Sequence, residues 1–223
     1  MNNNESLQRD VQNALKWEPL LHAAEIGVTV KDGIVNLTGT VDSFNKKQEA
    51  ENATKNVKGV KAIVEKIEVK FTSSIAKSDN DLVNDILKAM KMDFEVPIDK
   101  VKVMVEDGWV TLDGELPWNY QREAAKRSIK KVHGLKGITT NITIKSESLD
   151  QIEQQNIESA LNRNWSVNDQ DIRVIVSGSV VTLKGTVNSW YQKEEAEKIA
   201  WNAPGVSYVI NDLVIEYAYA LID

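Results

Sequence analysis

Arg122, Lys126, Arg127, Lys130 and Lys131 crowd one short stretch, with His133 and Lys136 just beyond. At helical spacing these cations fall away from an apolar stripe of Ala125, Ile129 and Val132, and Trp118 and Tyr120 stand at its start. A basic amphipathic helix flanked by aromatic rings is suited to an anionic lipid surface: cations meet headgroups and rings sit at the interface. Each basic residue near such a surface contributes about 1 kcal/mol. The plainer reading is a solvated helix face, with Trp118 stapling the helix start. Catalytic chemistry finds less support. His22 and His133 are the only histidines and have no partner at ligand spacing, and cysteine is absent. No G-x-S-x-G, Walker A, H-E-x-x-H or Rossmann fingerprint occurs. Gly134-Leu135-Lys136-Gly137 mimics the GxxG loop of RNA-binding KH modules, but it occurs once, in a helix-to-strand turn. No enzyme activity, cofactor or metal is expected. With a net charge of −6, neither is nucleic acid.

The elements that hold these residues follow from a repeat. Val30-Lys31-Asp32-Gly33-Ile34-Val35-Asn36-Leu37-Thr38-Gly39 returns as Val105–Gly114 and again as Val176–Gly185, at offsets of 75 and 71 positions. Gly39 and Gly59, Gly114 and Gly134, and Gly185 and Gly205 each stand 20 apart. Such self-similarity marks a tandem array. The chain therefore divides into modules at 5–71, 80–146 and 151–217, each near the lower size limit for a stable core. Acidity concentrates in the third, with 5 basic and 9 acidic residues; the second has 11 and 10 and is the likeliest to meet an anionic partner.

Each unit opens with an amphipathic helix, carrying Leu7, Val11, Ala14 and Leu15 or Leu82, Ile86, Ala89 and Met90 on one stripe. The third keeps Ile157, Ala160 and Leu161 but has Glu153 at the stripe's start, so that helix is expected to begin late or to fray. Two alternating strands follow, joined by Asp32-Gly33, Asp107-Gly108 or Gly178-Ser179, dipeptides of tight hairpins. Gly39, Gly114 and Gly185 close the hairpin, where the second helix crosses the sheet and glycine admits close approach. That helix spans about 43–57, 118–132 and 189–203, and Gly59, Gly134 and Gly205 are placed to cap it. The last strand has a polar second inward position (Glu65, Thr140, Asn211), which points to a bulge or a late start.

The fold class is α+β: three α-β-β-α-β modules, each with two helices on one face of a three-stranded mixed sheet. The other face stays open. By parity it shows Met104 and Trp109 in module two, and Ile175, Val180 and Val214 in module three. These are greasier than solvent contact warrants, so those faces are expected to be covered by each other or by a protein partner. Trp17, Trp109, Trp118, Trp165, Trp190 and Trp201 are core or anchor candidates. The shorter second linker implies that modules two and three are held more tightly, and the apolar tail 217–222 can pack back on a module. No apolar run approaches the ~20 residues of a membrane span, and the start carries no secretory signal, so a cytoplasmic location is expected.

The pattern Asp-Gly-x-Val-x-Leu-x-Gly, an Ala-rich helix, then Gly-Val and an alternating strand resembles the BON domain family, named for bacterial osmotically inducible and nodulation proteins. Gly33, Gly39 and Gly59-Val60 carry it in module one, and Gly185 with Pro204-Gly205-Val206 in module three. Departures are Gly134-Leu135, Ser179 in the third turn, and Pro117-Trp118 where the other copies have Asp42-Ser43 and Asn188-Ser189. The resemblance implies a non-catalytic module that binds phospholipid, linked to osmotic or envelope stress, with many relatives exported to the periplasm. Its expected partner is an anionic phospholipid surface or another protein.

Overall fold

The computed structural model describes residues 3–21, 25–71, 77–145, 152–167 and 171–216. His22, most of the first linker, the second linker and the apolar tail lie outside these residues. Module one comprises α1 (Asn3–Trp17), β1 (Ile26–Lys31), β2 (Ile34–Val41), α2 (Phe44–Lys55) and β3 (Ala62–Val69). Module two repeats this as α3 (Asp79–Met92), β4 (Val101–Glu106), β5 (Trp109–Leu116), α4 (Asn119–Ile129) and β6 (Gly137–Ile144). Module three has α5 (Gln154–Arg163), β7 (Asp171–Ser177), β8 (Val180–Val187), α6 (Trp190–Trp201) and β9 (Tyr208–Ile215). In every sheet the middle strand pairs antiparallel with the strand before it and parallel with the one after the second helix.

The apolar stripes bury as their spacing requires. Leu7, Val11 and Leu15 meet Val35, Leu37 and Ile67, and the second and third modules bury Leu82, Ile86 and Met90, or Ile157 and Leu161, in the same way. Asp32 and Gly33 both have positive φ, as do Asp107 and Gly108, the I′ hairpin pattern. In the third turn Gly178 alone is positive, so Ser179 replaces glycine without strain. Ser43 and Ser189 cap α2 and α6 by accepting from the Lys46 and Gln192 amides. Trp118 stands at the same place in α4 and makes no such bond. Ser43→Ala and Ser189→Ala each lower stability by about 1 kcal/mol in urea denaturation.

Three local expectations are corrected. Gly39, Gly114 and Gly185 do not clear a passing helix. A Cβ there would strike the backbone carbonyl of Glu25 or Lys100, just before the adjacent strand, or of Asp171, that strand's first residue. Gly59, Gly134 and Gly205 do have positive φ, but they lie beyond the helix end: Asn56 caps α2 with right-handed dihedrals, and Gly59 turns the chain toward β3. The polar residues of the last strand cause no bulge, for the parallel registers run unbroken. Glu65 instead accepts from the Ile67 amide, Thr140 from Ile142 at 3.4 Å and Asn211 from Leu213 at 3.3 Å. These are edge strands, so a side chain satisfies a donor that no further strand can.

The modules meet through their second helices. Phe44, at the start of α2, joins the buried core of modules two and three, while Trp190, its counterpart in α6, packs on the core of module one. In α4 the matching end sends Arg122 over the Trp201 ring at 4.5 Å, at the far end of α6. At offsets of 75 and 71, Lys55, Lys130 and Trp201 are equivalent, as are Phe44, Asn119 and Trp190. Every seam thus joins the start of one second helix to the end of another: one onto two, two onto three, three onto one. A head-to-tail contact repeated this way closes a ring.

The third seam is also ionic. Lys55 reaches Glu194 at 2.9 Å and Glu51 at 3.0 Å, with its ammonium 5.9 Å from the Trp190 centroid. Burial presses the Lys55 pKa down, but the hydrogen bonds to Glu194 and Glu51 outweigh it, and the pKa ends above its ordinary 10.5. A raised pKa contributes stability that is fully present below the ordinary value and is lost as pH climbs through the folded one. The seam therefore holds across neutral pH and loosens only in strong alkali. X-ray scattering should show expansion above about pH 10.5 in the native chain and less of it in Lys55→Arg, whose charge persists.

Candidate functional site

The basic stretch of module two is α4 and the turn after it, and the fold employs much of it internally. Arg122 stacks on Trp201 and also lies 3.7 Å from Glu123. Lys126 pairs with Glu123 at 3.1 Å, and Lys130 is half-buried at the seam with module one. Arg127 is exposed yet bound to Glu95 at 2.5 Å and Asp93 at 3.7 Å. Lys131, Trp118 and Tyr120 are exposed. The stretch is thus split: Arg122, Lys126 and Lys130 look toward neighbouring modules, Arg127 and Lys131 toward solvent.

The sheet-face residues behave differently from expectation. Met104 (57% exposed), Trp109 (53%), Ile175 and Val214 are all open, and Val180 is half-buried. Modules two and three do not cover each other's sheets, because their second helices take up the contact between them. Trp109 is partly employed within its own module. It pairs with Gly137 across the ladder, and its ring occupies the space a Cβ at that glycine would need. Gly137 is therefore a seat for an indole, which accounts for the second glycine of the KH-like tetrapeptide.

A further set of side chains gathers at the end of the first helix in each module. Trp17 is 86% exposed, Met92 87%, Phe94 96% and Trp165 83%. Trp17 and Met92 are repeat equivalents, as are Phe94 and Trp165. The last helical turn before each tip carries a cation: Lys16, Lys91 or Arg163. Such a charge also suits the negative end of the helix dipole. In module two, Arg127 borders the same surface as Met92 and Phe94. Phe94 and Met92 went unread in the sequence, although a signal existed: the stripe of α3 is complete at Met90, so large apolar residues just beyond it have no core to enter.

Among the described residues, no group of three or more His, Asp or Glu side chains converges as a metal site, and no helix is long and apolar enough to cross a membrane.

Three α-β-β-α-β units with these turns find their match in one family model, the BON domain, at residues 3–70, 78–146 and 150–217. The chain belongs to the BON domain family. It is 27% identical to Osmotically-inducible protein Y of Escherichia coli (strain K12) over 139 residues, which are 60% of this chain and 69% of that protein. Among solved structures it is similar to CdsD, a structural protein of the type III secretion system of Chlamydia trachomatis. That likeness has 14% identity, covers 96% of this chain and 93% of the other, and has a TM-score of 0.26. A second structure, of the C-terminal domain of CdsD, is 15% identical over 94% of this chain and 97% of its own, with a TM-score of 0.25. Neither score carries an argument about function. Beyond the family fold, this chain shows head-to-tail seams between its modules and an exposed apolar tip on each.

Proposed function

We propose that this BON protein is a non-catalytic adaptor that docks on anionic phospholipid surfaces in the response to osmotic or envelope stress. The observation that carries the reading is the tip: an aromatic or methionine side chain almost wholly in water, close to a cation, at or just past the end of the first helix in every module. The ends of the first helices are equivalent places in the three modules of a closed ring, so the apolar side chains carried there can enter one interface together. Aromatic rings at headgroup depth with adjacent Lys or Arg are the usual chemistry of peripheral attachment. Arg127 adds charge beside the module-two tip, Lys131 is exposed just past the same helix, and Trp118 flanks its start. The relationship to a protein named for osmotic induction supports the physiological setting.

Co-sedimentation with vesicles containing phosphatidylglycerol tests this. Half-burying a large apolar side chain gains about 1 kcal/mol, so Trp17→Ala/Phe94→Ala/Trp165→Ala should weaken binding roughly a hundredfold without changing the circular dichroism spectrum. Arg127→Glu/Lys131→Glu should erase the preference for anionic over zwitterionic vesicles. Unaltered binding by the triple variant would remove the reading. A second reading, a protein-interaction scaffold, is favoured by the open apolar residues Met104, Trp109, Ile175 and Val214. It expects self-association or partner capture that Trp109→Ala abolishes and lipid does not affect.

A further inference from the structure

We propose that the cleft between modules one and two is a binding site for a phosphate-bearing anion. The cleft has a volume of about 410 Å³ and is lined by Phe44, Lys47 and Glu65 of module one and by Trp109, Lys126, Lys130 and Lys136 of module two. Four lysines and one glutamate thus line it, in a protein whose net charge is −6. Two of the lysines are already engaged. Lys47 donates to the Ile67 carbonyl at 2.8 Å and pairs with Glu65 at 2.7 Å, while Lys126 pairs with Glu123 at 3.1 Å.

Lys130 and Lys136 are left. Both are half-buried, and among the described residues neither has a carboxylate within ion-pair distance. They come from different elements, Lys130 from the end of α4 and Lys136 from the turn entering β6. Both line the same cleft without a carboxylate partner, and a dianion between them would supply the missing counter-charge. A lysine pair supplies point charges and several rotatable donors, which suits a phosphate lacking a fixed orientation. The remaining walls are the Phe44 and Trp109 rings, and the volume exceeds what a bare phosphate fills, so the ligand is an ester with an organic group against those rings. Gly137 contributes indirectly: by seating the Trp109 indole it sets one wall. The site requires the first seam but none of the apolar tips.

Soluble ester and lipid headgroup present the same chemistry, and the test separates them. The ¹⁵N-labelled chain is titrated with glycerol 3-phosphate, with vesicles containing phosphatidic acid, whose headgroup is likewise a phosphate monoester, and with sodium chloride at matched ionic strength, following the Lys130, Lys136 and Gly137 amides. Saturable shifts with glycerol 3-phosphate, weakened roughly tenfold or more in Lys130→Gln/Lys136→Gln, support a small-molecule site. Saturation with vesicles only, lost in the same variant, supports a headgroup site. The triple tip variant should keep the glycerol 3-phosphate titration while losing vesicle binding, so failure of the tips and failure of the cleft are told apart. Shifts that never saturate, that chloride reproduces, or that persist unchanged in the double lysine variant overturn the proposal.

Discussion

Gly185→Ala should unfold the third module, whereas Gly178→Ala in the same module should be tolerated. Both glycines have positive φ, 124° and 60°. Around Gly178 an added Cβ meets nothing within 4 Å, so alanine there costs only the left-handed backbone, about 1–2 kcal/mol. At Gly185 the Cβ would collide with the Asp171 carbonyl, on backbone paired into the sheet, and no rotamer relieves that. The strain of the rare φ alone is about 1–3 kcal/mol, and the collision adds to it. A module of this size holds only about 3–5 kcal/mol in reserve. Thermal denaturation should lose the third module's share of the transition in Gly185→Ala and keep it in Gly178→Ala. Equal effects would mean that the close approach is not what fixes glycine here.

The second large effect falls on Trp201. Its ring is 8% exposed, lies in the core that modules two and three share, and carries the Arg122 guanidinium on its face. Truncating a buried tryptophan costs about 3–5 kcal/mol, so Trp201→Ala should destabilise both modules in urea melts. Arg122→Ala removes the stacked cation and a long contact to Glu123, and should cost about 1 kcal/mol. In Trp201→Ala, Arg122→Ala should then cost nothing more, because the ring it leans on is gone. A double-mutant cycle without coupling would show that the second seam does not rest on this pair.

Much of the fold was legible because period and turn chemistry agreed three times over. Val35-x-Leu37 after Asp32-Gly33 permits one hairpin register, and the copies at Val110 and Val181 leave no room for another. What stayed hidden depends on groups outside the local pattern. Gly39 answers to the carbonyl of Glu25, a residue with no side-chain signal. Glu65 reads as a break in alternation until the strand is known to be an edge.

The seams were harder still. Lys55, Lys130 and Trp201 share one structural position but three different environments, and a lysine on a helix reads as solvated in any sequence. Only the bulk of Phe44 and Trp190 pointed to packing at that end. The basic stretch was visible as a cluster, but its division between a seam and an open surface is set by which modules touch. The tips were half visible. Trp17 and Trp165 stood out as tryptophans, while Met92 and Phe94 look ordinary until α3 is seen to end at Met92, past its last buried residue Met90.

The claim on which the rest depends is that the modules close head to tail and so hold their tips on one side. The chain has no cysteine, so pairs of spin labels at Trp17→Cys, Phe94→Cys and Trp165→Cys report without further engineering. Pulsed electron–electron distance measurement on the three pairs should give narrow, single-peaked distributions. Adding Trp190→Ala should broaden the pair joining modules one and three and leave the other two sharp. Broad distributions for all pairs in the otherwise native chain, as from modules tumbling on their linkers, would contradict the closed ring.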